Sequence, residues 1–313
     1  MKYENIKNEL GNYYHYKCTN KKKATIIFIH GFATTSEYHD VFIKHIIDQF
    51  DYIALQLPGA GIQEWKQNKK PKVEDMVDYC INLIKSLNLK EFVILGHSMG
   101  GGIALRLANY FQKETICLIL STPMNSRIPF WKGINYFKFN PKNFKKAHHL
   151  INILYHDINK LHNNDQEKIH SVISEEFQYQ TDNRPFMVQL KQSMFSVKNM
   201  LLCHQNEKAL ATPTLVIAGK YDKLIPPVSL FRAFGNRKQQ EKGFIRIELM
   251  NDSAHIPFQE QEILLIIIWI RNRKIWYHLI CKGCNGYLFR CESLCHPSNR
   301  PRISGLFLFF WNF

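Results

Sequence analysis

The stretch EFVILGHSMG, residues 91–100, joins an apolar run to a serine that stands between two glycines. The run EFVIL is typical of a strand covered on both faces, and a stretch with helical spacing begins at Met99. A sharp turn from strand to helix holds Ser98 at a strained backbone angle and presents its hydroxyl where a base can activate it. Side chains at Gly96 and Gly100 would collide with the neighbouring strand or helix. The motif therefore predicts a nucleophilic serine at the end of a buried strand.

Short apolar runs rich in β-branched residues alternate with helical stretches on both sides of this motif. Strands are predicted at 25–30, 52–57, 91–96, 115–120, 214–219 and 244–249, with an antiparallel edge around 13–17. Helices are predicted at 36–50, 73–87, 99–109 and 228–234. This alternation is typical of an α/β fold, in which a parallel sheet is built through right-handed crossovers.

The alternation stops between about Met124 and Asn206. Its first part is aromatic and basic, and residues 148–200 are polar with helical spacing. We interpret residues 124–206 as a helical cap inserted between two parts of a core, 1–123 and 207–271. An independent domain is the alternative, although both ends of the stretch return to one sheet. An apolar helix at 258–270 completes the predicted fold, and residues 272–313 form a cysteine-containing tail outside it.

Two further polar residues follow late strands. Asp222 comes just after TLVIAG, and His255 comes just after FIRIEL. Enzymes built on parallel sheets place their sites at the carboxyl ends of the strands, so both side chains are candidates for the site of Ser98. The alternatives are that Asp222 is a turn residue and that His255 is one of many loop histidines.

The motif and the chain order Ser98, Asp222, His255 resemble the serine hydrolases of the α/β-hydrolase fold. The resemblance covers about residues 24–272. It implies a mostly parallel sheet with helices on both faces and a helical cap. By this resemblance Ser98 is the nucleophile and His255 is the general base and then the general acid. Asp222 would orient the imidazole and stabilise its charged form.

The oxyanion hole is predicted from two backbone N–H groups. Met99 begins a helix directly after the nucleophile, so its N–H points at the carbonyl oxygen under attack. The turn His30-Gly31-Phe32-Ala33 resembles the oxyanion turn of the family, which assigns the second N–H to Phe32. One departure concerns a neighbouring loop, where Gln56 stands at a position that is commonly Asp in the family.

The form GHSMGG looks most like carboxylesterases and small lipases, including monoacylglycerol lipases. This implies a small-molecule ester substrate, an acyl-enzyme intermediate and no cofactor. The aromatic density of residues 130–144 favours short to medium acyl chains. Carbon–carbon bond hydrolysis or acyl transfer on the same residues remains open, as does a binding protein that has kept the fold without turnover. Glu175 and Glu176 keep an aminopeptidase open, because an acidic cap residue could hold a substrate amine.

The formal charge of +15 does not indicate a nucleic-acid partner. Residues 271–313 contribute +6 of it, and the rest is spread without a basic helix or an aromatic-interleaved stripe. The first residues lack the apolar region of a secretory signal, so we expect a cytoplasmic protein. The longest apolar runs fall well short of the roughly 20 residues of a membrane-spanning helix. A weak contact with a membrane surface remains an alternative for the tail.

The cysteines divide into two groups. Cys18, Cys80, Cys117 and Cys203 are far apart, mostly in apolar contexts, and are predicted to be reduced core thiols. The tail carries a second group, namely Cys281, Cys284, Cys291 and Cys295. A C-x-x-C pair can bind zinc, but the second pair has a different spacing and the halves are close together. We therefore predict no metal site and interpret the tail as a disordered or non-native extension.

Overall fold

A computed structural model of the chain describes residues 4–9, 11–18, 25–39, 50–59, 65, 69–129, 141–236 and 244–261. All of these residues lie in the compact unit Met1–Arg271. The tail from residue 272 onward, with its four cysteines, lies outside the described residues, as do Phe130, Trp131 and the aromatic residues that follow them up to 140.

An eight-stranded sheet forms the centre of the described fold, in the order β1-β2-β4-β3-β5-β6-β7-β8. Its strands are Glu4–Asn8, Gly11–Tyr16, Thr25–Ile29, Asp51–Gln56, Phe92–His97, Thr115–Ser121, Thr214–Gly219 and Ile245–Met250, numbered β1 to β8. The strands from β4 to β8 pair in parallel, and β1 and β2 are antiparallel. The predicted α/β-hydrolase fold, with a mostly parallel sheet and helices around it, is confirmed.

The central strands are apolar because both faces of the sheet are covered. Every residue of β3, β5 and β7 is buried, and these strands read TIIFI, FVILGH and TLVIAG. Since strands β5 to β8 are parallel, their carboxyl ends meet at one edge of the sheet. The residues that follow β5, β7 and β8 are therefore brought to the same edge.

Nine α-helices lie among the described residues. They are Val73–Ser86, Met99–Tyr110, Phe144–Leu154, Ile158–Leu161, Gln166–Asp182, Arg184–Met194, Val197–Ala209, Pro227–Phe234 and Pro257–Glu260, numbered α1 to α9. Helix α1 shows how the sequence specifies them. Asp75 accepts a hydrogen bond from the backbone N–H of Lys72 at 2.9 Å, and apolar residues at helical spacing face the core. Helices α3 to α7 all fall between β6 and β7.

The predicted elements differ from the observed ones at a few places. Strand β1 is missed, because its sequence ENIKN has no apolar alternation and pairs only at the sheet edge with β2. Of the helix predicted at 36–50, the structure describes a 3₁₀ turn at Ser36–His39, and residues 40–49 lie outside the described residues. The helix predicted at 258–270 begins at Pro257, and its continuation beyond 261 lies outside them too.

The four cysteines of the main body are free thiols. Cys80, Cys117 and Cys203 are buried, so the prediction of reduced core thiols is confirmed for them. Cys18, which comes shortly after β2, is a free thiol too but is only partly buried, so for this residue the prediction of a core position is wrong.

In the parts of the chain that the structure describes, no helix has the length and apolarity needed to cross a membrane.

Candidate active site

Ser98 occupies the turn between β5 and α2 in a backbone conformation that residues other than glycine rarely adopt, with φ 54° and ψ −120°. Four backbone hydrogen bonds hold it there. Its N–H donates to the Ser121 carbonyl at 3.0 Å. Its carbonyl accepts from the N–H groups of Met124 at 2.8 Å, Gly101 at 2.9 Å and Gly102 at 3.3 Å. The ends of β5 and β6 therefore stabilise the strained turn together.

The two glycines that flank Ser98 make close backbone approaches. A Cβ added at Gly96 would lie 2.5 Å from the Ala104 Cβ on α2. A Cβ added at Gly100 would lie 2.3 Å from the Ile29 carbonyl oxygen at the end of β3. Real side chains cannot make such contacts, so the predicted reason for both glycines is confirmed.

The three residues singled out at the strand ends form one hydrogen-bonded array. His255 Nε2 lies 2.8 Å from Ser98 Oγ, and His255 Nδ1 lies 2.8 Å from Asp222 Oδ2. All three side chains are buried. The other carboxylate oxygen of Asp222 accepts from the backbone N–H groups of Leu224 and Ile225, each at 2.8 Å. We refer to these three side chains as the Ser98–His255–Asp222 array.

The hydrogen bonds specify which nitrogen of His255 carries the proton. An ionised carboxylate only accepts, so Nδ1 of His255 donates to Asp222. The other ring nitrogen, Nε2, then has a free lone pair and accepts the hydrogen bond from the Ser98 hydroxyl. The array can therefore take the serine proton onto Nε2 while the carboxylate stabilises the resulting imidazolium.

The backbone of His255 is held by two side chains that the sequence interpretation did not single out for this role. His97 Nε2 donates to the His255 carbonyl oxygen at 3.0 Å, and Thr122 Oγ1 donates to the same oxygen at 3.0 Å. Burial lowers the pKa of His97 to about 3, so its ring is neutral at neutral pH. Thr122 has φ 41°, which is unusual for a β-branched residue. His97 is the last residue of β5 and Thr122 directly follows β6, and this position at a strand end is the one sequence signal that could have indicated them.

The turn after β3 lies against the nucleophile. His30 Nδ1 donates to the Gly31 carbonyl at 2.9 Å, and its Nε2 accepts from the Leu57 N–H at 3.0 Å. Burial lowers the pKa of His30 to about 4, consistent with the neutral ring that these bonds require. A Cβ added at Gly31 would lie 3.2 Å from the Ser98 Cβ. Phe32, the next residue, and Met99 are both buried and line the same pocket.

The loop that departs from the family at position 56 has its own brace. The Gln56 side-chain oxygen accepts from the Ser36 hydroxyl at 2.5 Å and from the Ser36 N–H at 3.1 Å. Both residues are buried. A neutral amide thus links the end of β4 to the 3₁₀ turn that follows β3.

A pocket of about 280 Å³, counting the open space at its mouth, adjoins the turn at Gly31. Its lining is apolar and aromatic apart from the buried, neutral His30, and consists of His30, Gly31, Phe32, Ala33, Leu57, Pro58, Gly59, Met76, Met99, Tyr179, Phe186, Met187 and Leu190. The ring of Phe186 lies over Gly59, where an added Cβ would be 2.2 Å from a ring carbon. The Trp65 ring packs against Phe186 from outside the lining, with ring centroids 5.9 Å apart.

The two glutamates considered as amine ligands do not line this pocket. Glu175 is exposed and accepts a hydrogen bond from the Ser171 hydroxyl at 2.6 Å. Glu176 is partly buried and accepts from the Gln180 amide one turn along α5. Burial raises the pKa of Glu176 to about 7. Within the described ranges there is also no group of three or more His, Cys, Asp or Glu residues arranged to hold a metal ion.

Comparison with known proteins identifies the family. The chain matches the family described as serine aminopeptidase, S33, over residues 20–262. This match spans more than half of the chain, which therefore belongs to this family of α/β-hydrolases. The resemblance to α/β-hydrolases that the sequence indicates is therefore confirmed at the level of the family.

Relatives of known sequence carry hydrolase names. An uncharacterized hydrolase, YugF of Bacillus subtilis, is 27% identical over 68% of this chain and 78% of its own length. Putative esterase/lipase 3 of Mycoplasma pneumoniae is 22% identical over 76% of this chain and 83% of its own. A 2-hydroxymuconate semialdehyde hydrolase of Pseudomonas sp. is 27% identical over 56% of this chain and 60% of its own.

Solved structures agree on the fold. The crystal structure of a putative lipase from Acinetobacter baumannii superposes with a TM-score of 0.73 at 18% identity, and covers 90% of this chain and 92% of that one. At this identity the likeness concerns the fold alone.

Proposed function

We propose that this member of the S33 family is a serine hydrolase that cleaves carboxylic esters through an acyl-enzyme. Ser98 is the nucleophile, His255 the general base and acid, and Asp222 the carboxylate that orients His255. The observation that carries the proposal is the pair of 2.8 Å contacts that join Ser98 Oγ, His255 and Asp222. A hydroxyl with an oriented base at hydrogen-bonding distance is what nucleophilic catalysis requires.

In the first half of the proposed reaction, Ser98 Oγ attacks the ester carbonyl carbon and its proton moves to His255 Nε2. The carbonyl oxygen becomes an oxyanion, which the backbone N–H groups of Phe32 and Met99 stabilise. Removing one such donor typically costs about 3 kcal/mol of transition-state stabilisation. When the tetrahedral intermediate collapses, the bond to the alkoxy oxygen breaks and His255 returns the proton to the leaving alcohol.

The second half repeats these steps with water. His255 Nε2 takes a proton from a water molecule, whose oxygen attacks the acyl carbon. Collapse of this intermediate breaks the bond to Ser98 Oγ, which regains the proton from His255. The carboxylic acid leaves and the array returns to its starting protonation state.

The pocket supports an uncharged, apolar acyl group. An ionised substrate group would need an opposite charge to offset its desolvation, and the described lining offers none because His30 is neutral. The Phe186 ring over Gly59 narrows the pocket at one point. From this constriction we infer a preference for short to medium acyl chains. The aromatic residues of 130–144, from which the sequence predicts the same preference, lie outside the described residues apart from Phe144.

The pocket also supports a cap that covers the site. Tyr179 belongs to α5, and Phe186, Met187 and Leu190 belong to α6. Both helices fall within residues 124–206. We propose that this segment is the cap and that its apolar faces complete the acyl pocket above the sheet.

The cytoplasmic location expected from the sequence remains a prediction.

Carbon–carbon bond hydrolysis is a second candidate, because a relative is named 2-hydroxymuconate semialdehyde hydrolase. The same array could serve it, since a ketone carbonyl can be attacked in place of an ester. A third reading, aminopeptidase activity, follows the description of the family. It is less well supported, because neither Glu175 nor Glu176 lines the pocket in which a substrate amine would need a carboxylate.

Parallel substrate series separate these functions. We expect 4-nitrophenyl esters of short and medium acids to be hydrolysed, while aminoacyl anilides and a vinylogous diketone react far more slowly. Ser98→Ala should abolish ester turnover, and Ser171→Ala on α5 is the matched control that should retain it. Turnover of the diketone with inert esters would replace the proposal by a carbon–carbon hydrolase. Added alcohol that raises the yield of new ester would indicate acyl transfer.

A further inference from the structure

The carboxyl-terminal end of α3 contacts the segment that carries His255 through consecutive residues. The Leu154 carbonyl accepts from the His255 N–H at 2.9 Å. The Tyr155 hydroxyl donates to Gln259 Oε1 at 2.7 Å. The His156 N–H donates to Glu260 Oε1. The end of this helix therefore follows the histidine segment from residue 255 to residue 260.

Glu260 joins both sides of this contact. While Oε1 accepts from the His156 N–H, Oε2 accepts from the Ala254 N–H at 2.7 Å. Ala254 immediately precedes His255, and its side chain is buried. The carboxylate also has a backbone hydrogen bond with Asp157, so it joins backbone N–H groups of two segments about one hundred residues apart in sequence. Charge-assisted bonds of this kind are stronger than those between neutral groups.

The same end of α3 also contacts the segment that carries Asp222. The rings of His156 and Tyr221 stack with their centroids 3.8 Å apart and their planes 3° from parallel. Lys223 Nζ donates to the Asn152 carbonyl oxygen at 3.1 Å. Tyr221 and Lys223 flank Asp222 on both sides. His255 and Asp222, which the Nδ1 hydrogen bond joins, therefore both lie on segments that the end of α3 contacts.

We propose that Glu260 is a positioning residue for His255: by tying the Ala254 N–H to the end of α3, it holds the imidazole in line between Ser98 and Asp222. The proposal rests on the function proposed above, in which His255 is the general base. A small displacement of that base lengthens its contact with Ser98 Oγ, and misplacement by about 1 Å can cost on the order of 100-fold in rate.

The Glu260→Gln variant isolates this role. Glutamine keeps the size of the side chain but has one acceptor oxygen, and its amide would face an N–H donor on the other side. We expect the glutamine to lose a hydrogen bond on one side and His255 to shift. The pocket should be unaffected, because neither α3 nor residues 254–260 contribute to its described lining.

The experiment compares Glu260→Gln with two other variants of the full chain. Asp252→Asn, an exposed carboxylate on the same segment as His255, is the matched control for loss of charge. Tyr155→Phe removes the neighbouring hydrogen bond to Gln259 and leaves the hydrogen bonds of Glu260 in place. For Glu260→Gln we expect kcat to fall about 10-fold to 100-fold with KM within about twofold of the parent. Tyr155→Phe should lower kcat only a few-fold, and Asp252→Asn should not change it.

A readout that needs no turnover accompanies the kinetics. The low-field proton resonance of the hydrogen bond between His255 Nδ1 and Asp222 should shift or broaden in Glu260→Gln and stay in place in Asp252→Asn. If the parent gives this resonance but hydrolyses no ester, the proposed function fails while the positioning role is still measured.

Two results would overturn the positioning role of Glu260. One is a folded Glu260→Gln protein with the kcat and the resonance of the parent. The other is a fall in kcat that is fully explained by the unfolded fraction measured by thermal melting, so that the folded molecules have the kcat of the parent.

Discussion

The turns at the carboxyl ends of the strands and the helices that line the pocket are built in different ways. Around Ser98, Asp222 and His255, backbone and side-chain hydrogen bonds hold each group, and added side chains at Gly96 or Gly100 would collide with backbone. The pocket side of α5 and α6 consists instead of apolar side chains in contact with one another. The difference indicates that the reaction type is specified by a few residues of required identity, whereas the substrate is selected by the summed shape of many replaceable ones.

This contrast predicts opposite responses to mutation. A change in a strand-end turn should lower the rate for every substrate, because the same proton transfers serve all of them. A change on the pocket side of α6 should alter the ratio of rates between substrates and leave the proton transfers intact.

The largest expected effect is that of Asp222→Asn. The asparagine oxygen can still accept from Leu224 and Ile225, but its amide group would face Nδ1 of His255 and favour the wrong tautomer. We expect kcat to fall about 10⁴-fold for every ester in the series, with little change in KM. Steady-state kinetics measure this, with Asp252→Asn as the control. A fall confined to some substrates would contradict the separation of the two regions.

An intermediate effect is expected for Phe186→Ala. Removing the ring above Gly59 should open room for longer acyl chains. The ratio of kcat/KM for an octanoate over a butyrate ester should rise roughly 10-fold, equivalent to burying about two more methylene groups at about 0.8 kcal/mol each. Val188→Ala, on the exposed side of the same helix, should leave the ratio unchanged. An equal fall for all chain lengths would mean that Phe186 supports the array rather than the pocket.

The smallest effect concerns stability against pH. His97 has a folded pKa of about 3, below the usual 6.5, so the unfolded chain binds the proton more readily. The contribution of the neutral His97 ring to the free energy of unfolding is present above pH 6.5 and is lost as the pH falls toward 3. Lowering the pH from 7 to 5 should therefore reduce the free energy of unfolding by about 2 kcal/mol.

Urea denaturation of the parent and of His97→Asn at both pH values isolates the contribution of His97. Burial raises the pKa of Glu176 to about 7, so its contribution has the opposite sign and grows as the pH falls. It is common to both proteins and cancels in the comparison. The loss of stability between pH 7 and pH 5 should be smaller in His97→Asn, and equal losses would contradict a neutral, buried His97.

Candidate residues of the strand-end region can be singled out from the sequence because the proposed chemistry restricts residue types. Ser98 needs its two glycines, and an acid and a histidine must follow parallel strands, so position and identity together single out Asp222 and His255. The apolar strands β3 and β5 to β7 are equally recognisable, because burial on both faces leaves a nearly continuous apolar run. Strand β1 was missed because a polar edge strand has no such pattern.

What could not be predicted depends on contacts between distant segments. Phe186 and Tyr179 look like ordinary residues of amphipathic helices, and only the packed fold shows that they face Gly59 and the turn after β3. Thr122 and Glu260 likewise have no local motif. Their partners, the His255 carbonyl and the N–H groups of Ala254 and His156, are backbone groups that any sequence would supply.

The central claim, that an oriented imidazole activates the Ser98 hydroxyl, is tested most directly by a fluorophosphonate probe followed by mass spectrometry of the peptides. The account predicts a covalent adduct on Ser98, slow labelling in His255→Ala and none in Ser98→Ala. A folded protein that stays unlabelled, or one that carries its adduct on another serine, would contradict it.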